Sequence, residues 1–257
     1  MSDQDHILYE FPCHERIRMF LRLELLFRRY EWFCGEDNPF AHHAALSALF
    51  DLVDASARSD LKNDLVQELS RLRHALRMKL PHLAGEECEG TEKTLRQTEE
   101  ALHGINRTLG RSAQYIRENE WLRLVRTRQS LPGGTCEFDL PMLHHWLAQP
   151  AAARRAELQA WEDTMTPTRD AIAIVLGMLR SAVQTDGEVT VHGGVHQLSL
   201  TGRNVLLARL WLPVGDDLIP EVSANKYMLW IRFSRPDAQR RLHASTEDIT
   251  FRLALCG

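Results

Sequence analysis

Residues 166–200 read TPTRDAIAIVLGMLRSAVQTDGEVTVHGGVHQLSL, and the periodicity of the chain changes inside them. Thr166 and Pro167 open a helix, since the missing N–H of proline costs nothing at a first helical position. The run Ile172–Leu179 that follows is apolar on almost every side, which places it at the centre of a helical bundle. From about Gly187 the period becomes two. Val189 and Val191 alternate with polar neighbours, Gly193 and Gly194 make a hairpin turn, and Leu198 and Leu200 continue the alternation. Helices are expected before this stretch and a sheet after it.

C-terminal to the switch, 204–212, 218–224, 227–233 and 249–255 have strand composition and are separated by Pro, Gly and Asp. No helical crossover lies between them, so the sheet is expected to be antiparallel. The polar segment 236–248 reads as an exposed loop. At the other end, ILYEF (7–11) precedes Pro12 and reads as a strand that adds to the sheet. The expected architecture is α+β: a mainly helical bundle domain over 12–184, then an antiparallel β-sheet domain over 187–257 joined by strand 7–11.

N-terminal to the switch, 15–33 is rich in Leu, Phe and Arg without Gly or Pro. Ile17, Phe20, Leu21 and Leu25 form its expected inner stripe, and Arg18, Arg22 and Arg29 fall on nearly one line of the same helix. Asn38 caps a second helix that starts at Pro39 and carries Ala45, Leu46, Leu49, Phe50 and Val53. A third starts after Ser59 or Asp60, with Leu61, Leu65, Leu69, Leu72, Leu76 and Leu80 in a three-four stripe ended by Pro81. These two are expected to pair as a hairpin. Residues 82–90 read as a loop, and Thr91 as the cap of a fourth helix with Leu95, Leu102, Ile105 and Leu109 inward and Gly110 as its stop. A further helical stretch from about 112 to 129 follows. After Pro150, the stretch AAARRAELQAWEDTM is helical, with Leu158, Trp161 and Met165 at core spacing.

Composition excludes more than it assigns. The 44% hydrophobic and 26% charged residues are ordinary for a globular protein, and a net charge of −4 argues against a dedicated nucleic-acid binder. Five scattered cysteines without a C-x-x-C fit a reducing compartment. The first residues lack the pattern of a secretory signal, and the apolar run 171–179 is far shorter than the ~20 residues of a membrane span. A cytoplasmic protein is expected, with no membrane insertion.

Nucleophile-elbow, Walker and dinucleotide motifs are missing. His42–His43 and His144–His145 are adjacent pairs, which a helix points about 100° apart and away from a shared metal. His192 and His196 flank the Gly193–Gly194 turn, but no third ligand accompanies them. Cys136 with Asp139 and His144 invites a thiol-hydrolase reading, against which the cysteine has neither a helix start nor an oxyanion device. No metal and no cofactor are expected.

The arginines remain. Six lie between Arg107 and Arg128, and Arg16, Arg18, Arg22, Arg28 and Arg29 make a second basic segment in an acidic protein. Guanidinium groups pair bidentately with carboxylates or phosphates, so such helices suit an acidic partner; a solvated face with intrahelical ion pairs explains the charge equally well. The second basic run enters RTRQSLPGGTCEFDLPMLHHWL (126–147). There Pro132, Gly133 and Gly134 end one helix, and Asp139 caps the next, with Pro141 near its first position.

Three segments carry a family resemblance: LYEFPCHERIRMFLRLELL (8–26), IRENEWLRLVRTRQSLPGGTCEFDLPMLHHWL (116–147) and NKYMLWIRF (225–233). Together they resemble the ZapD family of bacterial cell-division proteins, in order and over nearly the whole chain, and the central RxRxSxPGGxCxFDLPxLHxWL pattern is specific. The resemblance implies a helical domain plus a sheet domain, a homodimer at the mid-cell division site and no catalytic activity. It also implies binding to the C-terminal tail of FtsZ, the polymerising division GTPase, with crosslinking of its filaments. The tail-binding residues it implies are Arg22, His144, Arg58, Lys226 and Arg232. A further basic position falls on Glu120 here, where Arg117 or Arg123 would have to compensate.

The residue types agree with that implication. A disordered acidic tail suits a basic patch with apolar walls, which Arg22 and Arg126, with Phe20 or Trp146, would offer. Two readings from other classes stand beside it: a nucleic-acid module using the same arginines, weakened by the absence of stacking aromatics among them, and the hydrolase around Cys136.

Overall fold

The computed structural model describes residues 5–57, 60–107 and 113–257. The chain divides into two compact units, one formed by the residues up to Arg18 together with Leu176–Gly257, the other by Met19–Val175. An N-terminal strand is followed by a run of helices and then by the remaining strands, which form antiparallel sheets, one of them including the N-terminal strand, so the α+β expectation holds.

In the helical unit, α1 (Glu15–Gly35) buries Phe20, Leu23, Phe27 and Tyr30. The Tyr30 hydroxyl reaches the core and donates to the Leu158 carbonyl at 2.7 Å. Leu25 departs from the expected inner stripe and is 46% exposed. Successive helical positions advance by about 100°, so a face centred on Leu23 puts Leu25 on the opposite side. Asn38 caps α2 (Pro39–Ala55) by accepting from the Phe40 N–H at 2.8 Å.

Helix α3 (Leu61–Lys79) ends in a 3-10 turn at Leu80–His82 and packs along α4 (Gly85–Arg107). The expected α2–α3 hairpin is therefore replaced by an α3–α4 pair, tied by the Arg77–Glu99 ion pair, with small Thr98 and Ala101 buried in α4. Helix α4 also starts earlier than the Thr91 cap implied. Gly85 supplies a φ of +60°, and Glu86 and Glu87 favour the positive end of the helix dipole. The proposed end of this helix at Leu109 and Gly110 lies outside the described residues.

The helical stretch expected from about 112 to 129, whose first residue lies outside the described ones, consists of two helices, α5 (Gln114–Glu118) and α6 (Glu120–Gln129). Asn119 is extended between them, and its side chain caps the second by accepting from Leu122 N–H at 3.0 Å. Helix α7 (Pro141–Leu147) has Leu140 rather than Asp139 at its cap position and no side-chain cap bond. Helix α8 (Ala151–Asp163) buries Leu158 and Trp161, and α9 (Thr166–Ser181) buries Ala171, Ile172 and Val175. α9 is not enclosed on all sides, because its line of Asp170, Ala173 and Gly177 is exposed.

Two antiparallel sheets make up the other unit. Its first sheet contains β1 (His6–Pro12), β4 (Leu207–Pro213), β8 (Ile249–Cys256) and β2 (Val183–Val191), in that order. The second runs β3 (Val195–Ser199), β6 (Met228–Pro236), β5 (Ile219–Ala224), and β7 (Leu242–Ala244) pairs with the far end of β6. Thus the segment 236–248 is not wholly loop. Nor does Gly193–Gly194 close a simple hairpin. β2 pairs with β8 and β3 with β6, so the turn carries the chain from one sheet to the other. Both glycines have φ near +70°, and a Cβ on Gly194 would lie 1.9 Å from the Ser245 carbonyl oxygen.

Alternation explains the core between the sheets. Leu210, Leu212, Phe251, Leu253 and Leu255 point inward from the first, and Leu229, Ile231 and Phe233 from the second. On the other face of the first sheet, Glu10 accepts from Arg180 Nε and Nη2 at 2.9 and 2.6 Å and from Arg209 Nε at 3.0 Å. Arg209 and Arg252 each lie over the Trp211 ring, 4.8 and 4.7 Å from its centroid.

Candidate functional site

Among the described residues, no group of three His, Cys, Asp or Glu side chains is placed to hold a metal, and no helix is long and apolar enough to cross a membrane. Thiol chemistry is disfavoured at two cysteines. Burial pushes the Cys13 thiol up to about 11 and that of Cys34 up to about 12, so neither is a thiolate at neutral pH. His192 is paired with Asp248 at 2.8 Å, and His196 lies edge-on to Phe251.

The basic residues fall in two sets, one in each unit. In the helical unit, Arg22 is exposed on α1 with no carboxylate within ion-pair distance among the described residues. Arg117 and Arg126 meet at the C-terminal end of α2. Arg117 Nη2 donates to the Val53 carbonyl at 2.7 Å, and Arg126 pairs with Asp54. Both line a shallow cleft with Arg123, Phe50 and Val53. The end of a helix leaves carbonyls without intrahelical donors, and Arg117 satisfies one of them. His144 on α7 is exposed, with Glu137 at 3.6 Å. Arg58 lies outside the described residues.

The Pro132–Gly134 turn that leads to His144 is sterically specified. A Cβ on Gly134 would lie 2.3 Å from the Arg128 carbonyl oxygen, which leaves room for glycine alone. Beneath the following helix, Trp121, Trp146 and Trp161 form a cluster with ring centroids 5.5–6.1 Å apart. Arg154, itself buried, donates to His42 Nδ1 at 2.8 Å, to the Leu147 carbonyl at 2.8 Å and to the Asp37 carbonyl at 2.9 Å. Burial and the neighbouring Arg154 charge hold the His42 imidazole below its ordinary value. Phe20 and Trp146 are thus core residues, fully buried and 6% exposed, and cannot serve as the apolar walls expected of them.

In the sheet unit, Lys226 stands in the β5–β6 connection with its ammonium 4.6 Å from the Tyr227 ring centroid. Arg232 points outward from β6, because its neighbours Ile231 and Phe233 face the core. The register sets Arg232 between Val195 and Glu221, and Trp230 between Gln197 and Ser223. These six residues line a concavity of about 460 Å³. Trp230 is the residue that reading along the sequence misses. The alternation that assigns Leu229 and Ile231 inward could have found it, since an outward tryptophan beside an outward arginine is unusual on a solvated sheet face. Neither Lys226 nor Arg232 has a carboxylate partner among the described residues.

Relatives give these features a setting. Residues 21–232 match the family model of the cell division protein ZapD. Proteins described as "Cell division protein ZapD" from Cupriavidus necator, Ralstonia nicotianae and Azoarcus sp. are 44%, 43% and 42% identical to this chain, over 97% of it and 99% of each relative. The chain belongs to the ZapD family of cell division proteins, and its role lies in cell division.

Proposed function

We propose that this chain is a homodimeric adaptor of the bacterial division site that binds the C-terminal tail of FtsZ and crosslinks FtsZ filaments, without catalysing a reaction. The observation that carries the reading is that three cations at positions the family resemblance implies, Arg22, Lys226 and Arg232, are exposed and have no ion-pair partner among the described residues. Uncommitted guanidinium groups gain charge-assisted bonds from an incoming carboxylate without first breaking an internal pair.

The remaining basic residues take graded parts. His144 and Arg126 hold exposed carboxylates of their own, Glu137 and Asp54, which an acidic tail can displace. Arg117 acts by holding the end of α2, and Arg58 is assigned from the family resemblance. Glu120 puts a negative charge at the start of α6, so the patch is less basic there. A single tail contact of this kind is weak. Two contacts in one dimer add through effective concentration, which turns decoration of a filament into crosslinking of two.

The test is a titration of a labelled FtsZ tail peptide with wild-type protein and with Arg22→Glu. The variant is expected to bind at least about tenfold more weakly with an unchanged melting temperature, since Arg22 makes no ion pair among the described residues. Equal affinity would remove α1 from the site. Wild-type affinity is expected to fall as salt is raised from low to physiological strength.

A further inference from the structure

The exposed side of α1 carries more than arginines. Taking Leu25 as the centre and about 100° per residue, Arg28, Leu21, Trp32, Leu25, Arg18, Arg29 and Arg22 fall within an arc of roughly 120°, with Arg18 at its N-terminal end paired to Glu15. No carboxylate of α1 lies in that arc, because Glu24 and Glu31 project to one side of it and Glu15, which pairs with Arg18, to the other. Its middle is apolar, with Leu25 46% and Trp32 63% exposed. Its edges are cationic, and Arg22, Arg28 and Arg29 have no ion-pair partner among the described residues. Tryptophan and leucine two turns apart, open to water and bordered by unpaired arginines, describe a surface that lacks its counterpart.

We propose that this arc is a docking ridge for an acidic amphipathic helix, with Leu25 and Trp32 as apolar anchors and the three arginines receiving its carboxylates. Resting on the reading above, that helix is a segment of the FtsZ tail. Charge selects the partner: two copies of the ridge face to face would oppose arginine to arginine, whereas an acidic segment neutralises them. Geometry selects the helical form. The backbone of α1 is satisfied internally and offers no ladder to an extended peptide, while a helix satisfies its own backbone. Leu25 and Trp32 lie seven residues apart, about 10.5 Å along the axis, which matches apolar side chains at i and i+7 of a second helix.

The experiment measures fluorescence anisotropy of a labelled FtsZ tail peptide against the full chain and against Leu25→Ser and Trp32→Ser, with circular dichroism of the mixture. Each variant is expected to keep its melting temperature and to bind about tenfold or more weakly, and the peptide to gain helix on binding. If the wild type binds and both variants bind within twofold of it, the proposal falls while tail binding stands. If the wild type itself does not bind, the tail reading falls and takes this occupant with it. Two other results also overturn the ridge as a tail site. One is loss of binding to phosphatidylserine vesicles in the variants with tail affinity intact. The other is a fall in solution mass in the variants, which would make the arc a self-interface.

Discussion

Replacing Glu10 by glutamine tests the sheet unit where it is most tightly specified. The carboxylate joins the end of α9 to β1 and β4 through three charge-assisted bonds of 2.6–3.0 Å from Arg180 and Arg209. Glutamine keeps the shape but removes the charge, and turns an amide NH2 toward one of the donors. Removing one partner of a fully buried pair costs about 3–5 kcal/mol. The three side chains here are 17–25% exposed, so water relieves part of that. A loss of about 2–3 kcal/mol follows, or roughly 5–10 °C in melting temperature for a chain of this length. The effect should depend on pH. Burial pushes the Glu10 carboxyl upward, but the bonds and charges of Arg180 and Arg209 outweigh it and hold the group below its ordinary value. Such a depressed group stabilises the fold fully above its unfolded pKa of about 4.3, and the contribution disappears as pH falls through the lower folded value. Thermal melts of wild type and Glu10→Gln from neutral pH downward should therefore differ most near neutrality and converge in acid. A variant that melts within about 1 °C of wild type at pH 7 would refute this account of the cluster.

Two further perturbations probe the helical unit. Arg154→Met should strip His42, Leu147, Gln149 and Asp37 of a buried donor and cost about 3 kcal/mol or more, read as a lowered denaturation midpoint. An unchanged midpoint would show these acceptors to be satisfied otherwise. Gly134→Ala should lower stability by about 1–3 kcal/mol and weaken tail binding, because the added methyl group must displace the Arg128 carbonyl and tilt α7 with His144. Stability and affinity both at wild-type levels would detach the turn from the site.

Much of the fold is legible in the sequence because periodicity is a local signal. The switch between Leu179 and Val189, the stop at Pro81, the Asn38 cap and the N-terminal strand all appear where local chemistry puts them. What fails is what depends on distant partners. The Gly193–Gly194 turn looks like a hairpin locally, yet it changes sheets, because the strands on either side of it pair with β8 and β6, far along the chain. The stripe of α3 is readable, but not that α4 rather than α2 receives it. Helical spacing alone places Leu25 in the inner stripe with Ile17, Phe20 and Leu21, although the angular position of the core face excludes it. The basic residues of the candidate site are visible in the sequence as types and positions. Their availability is not, since only the structure separates Arg22 and Arg232, which have no ion-pair partner among the described residues, from Arg117, which is committed to the end of α2.

The central proposal is reached most directly by co-sedimentation with assembled FtsZ filaments, using full-length FtsZ and FtsZ lacking its C-terminal tail. The protein is expected to pellet with the first in salt-sensitive fashion and to stay in the supernatant with the second. Equal pelleting with both would contradict tail recognition.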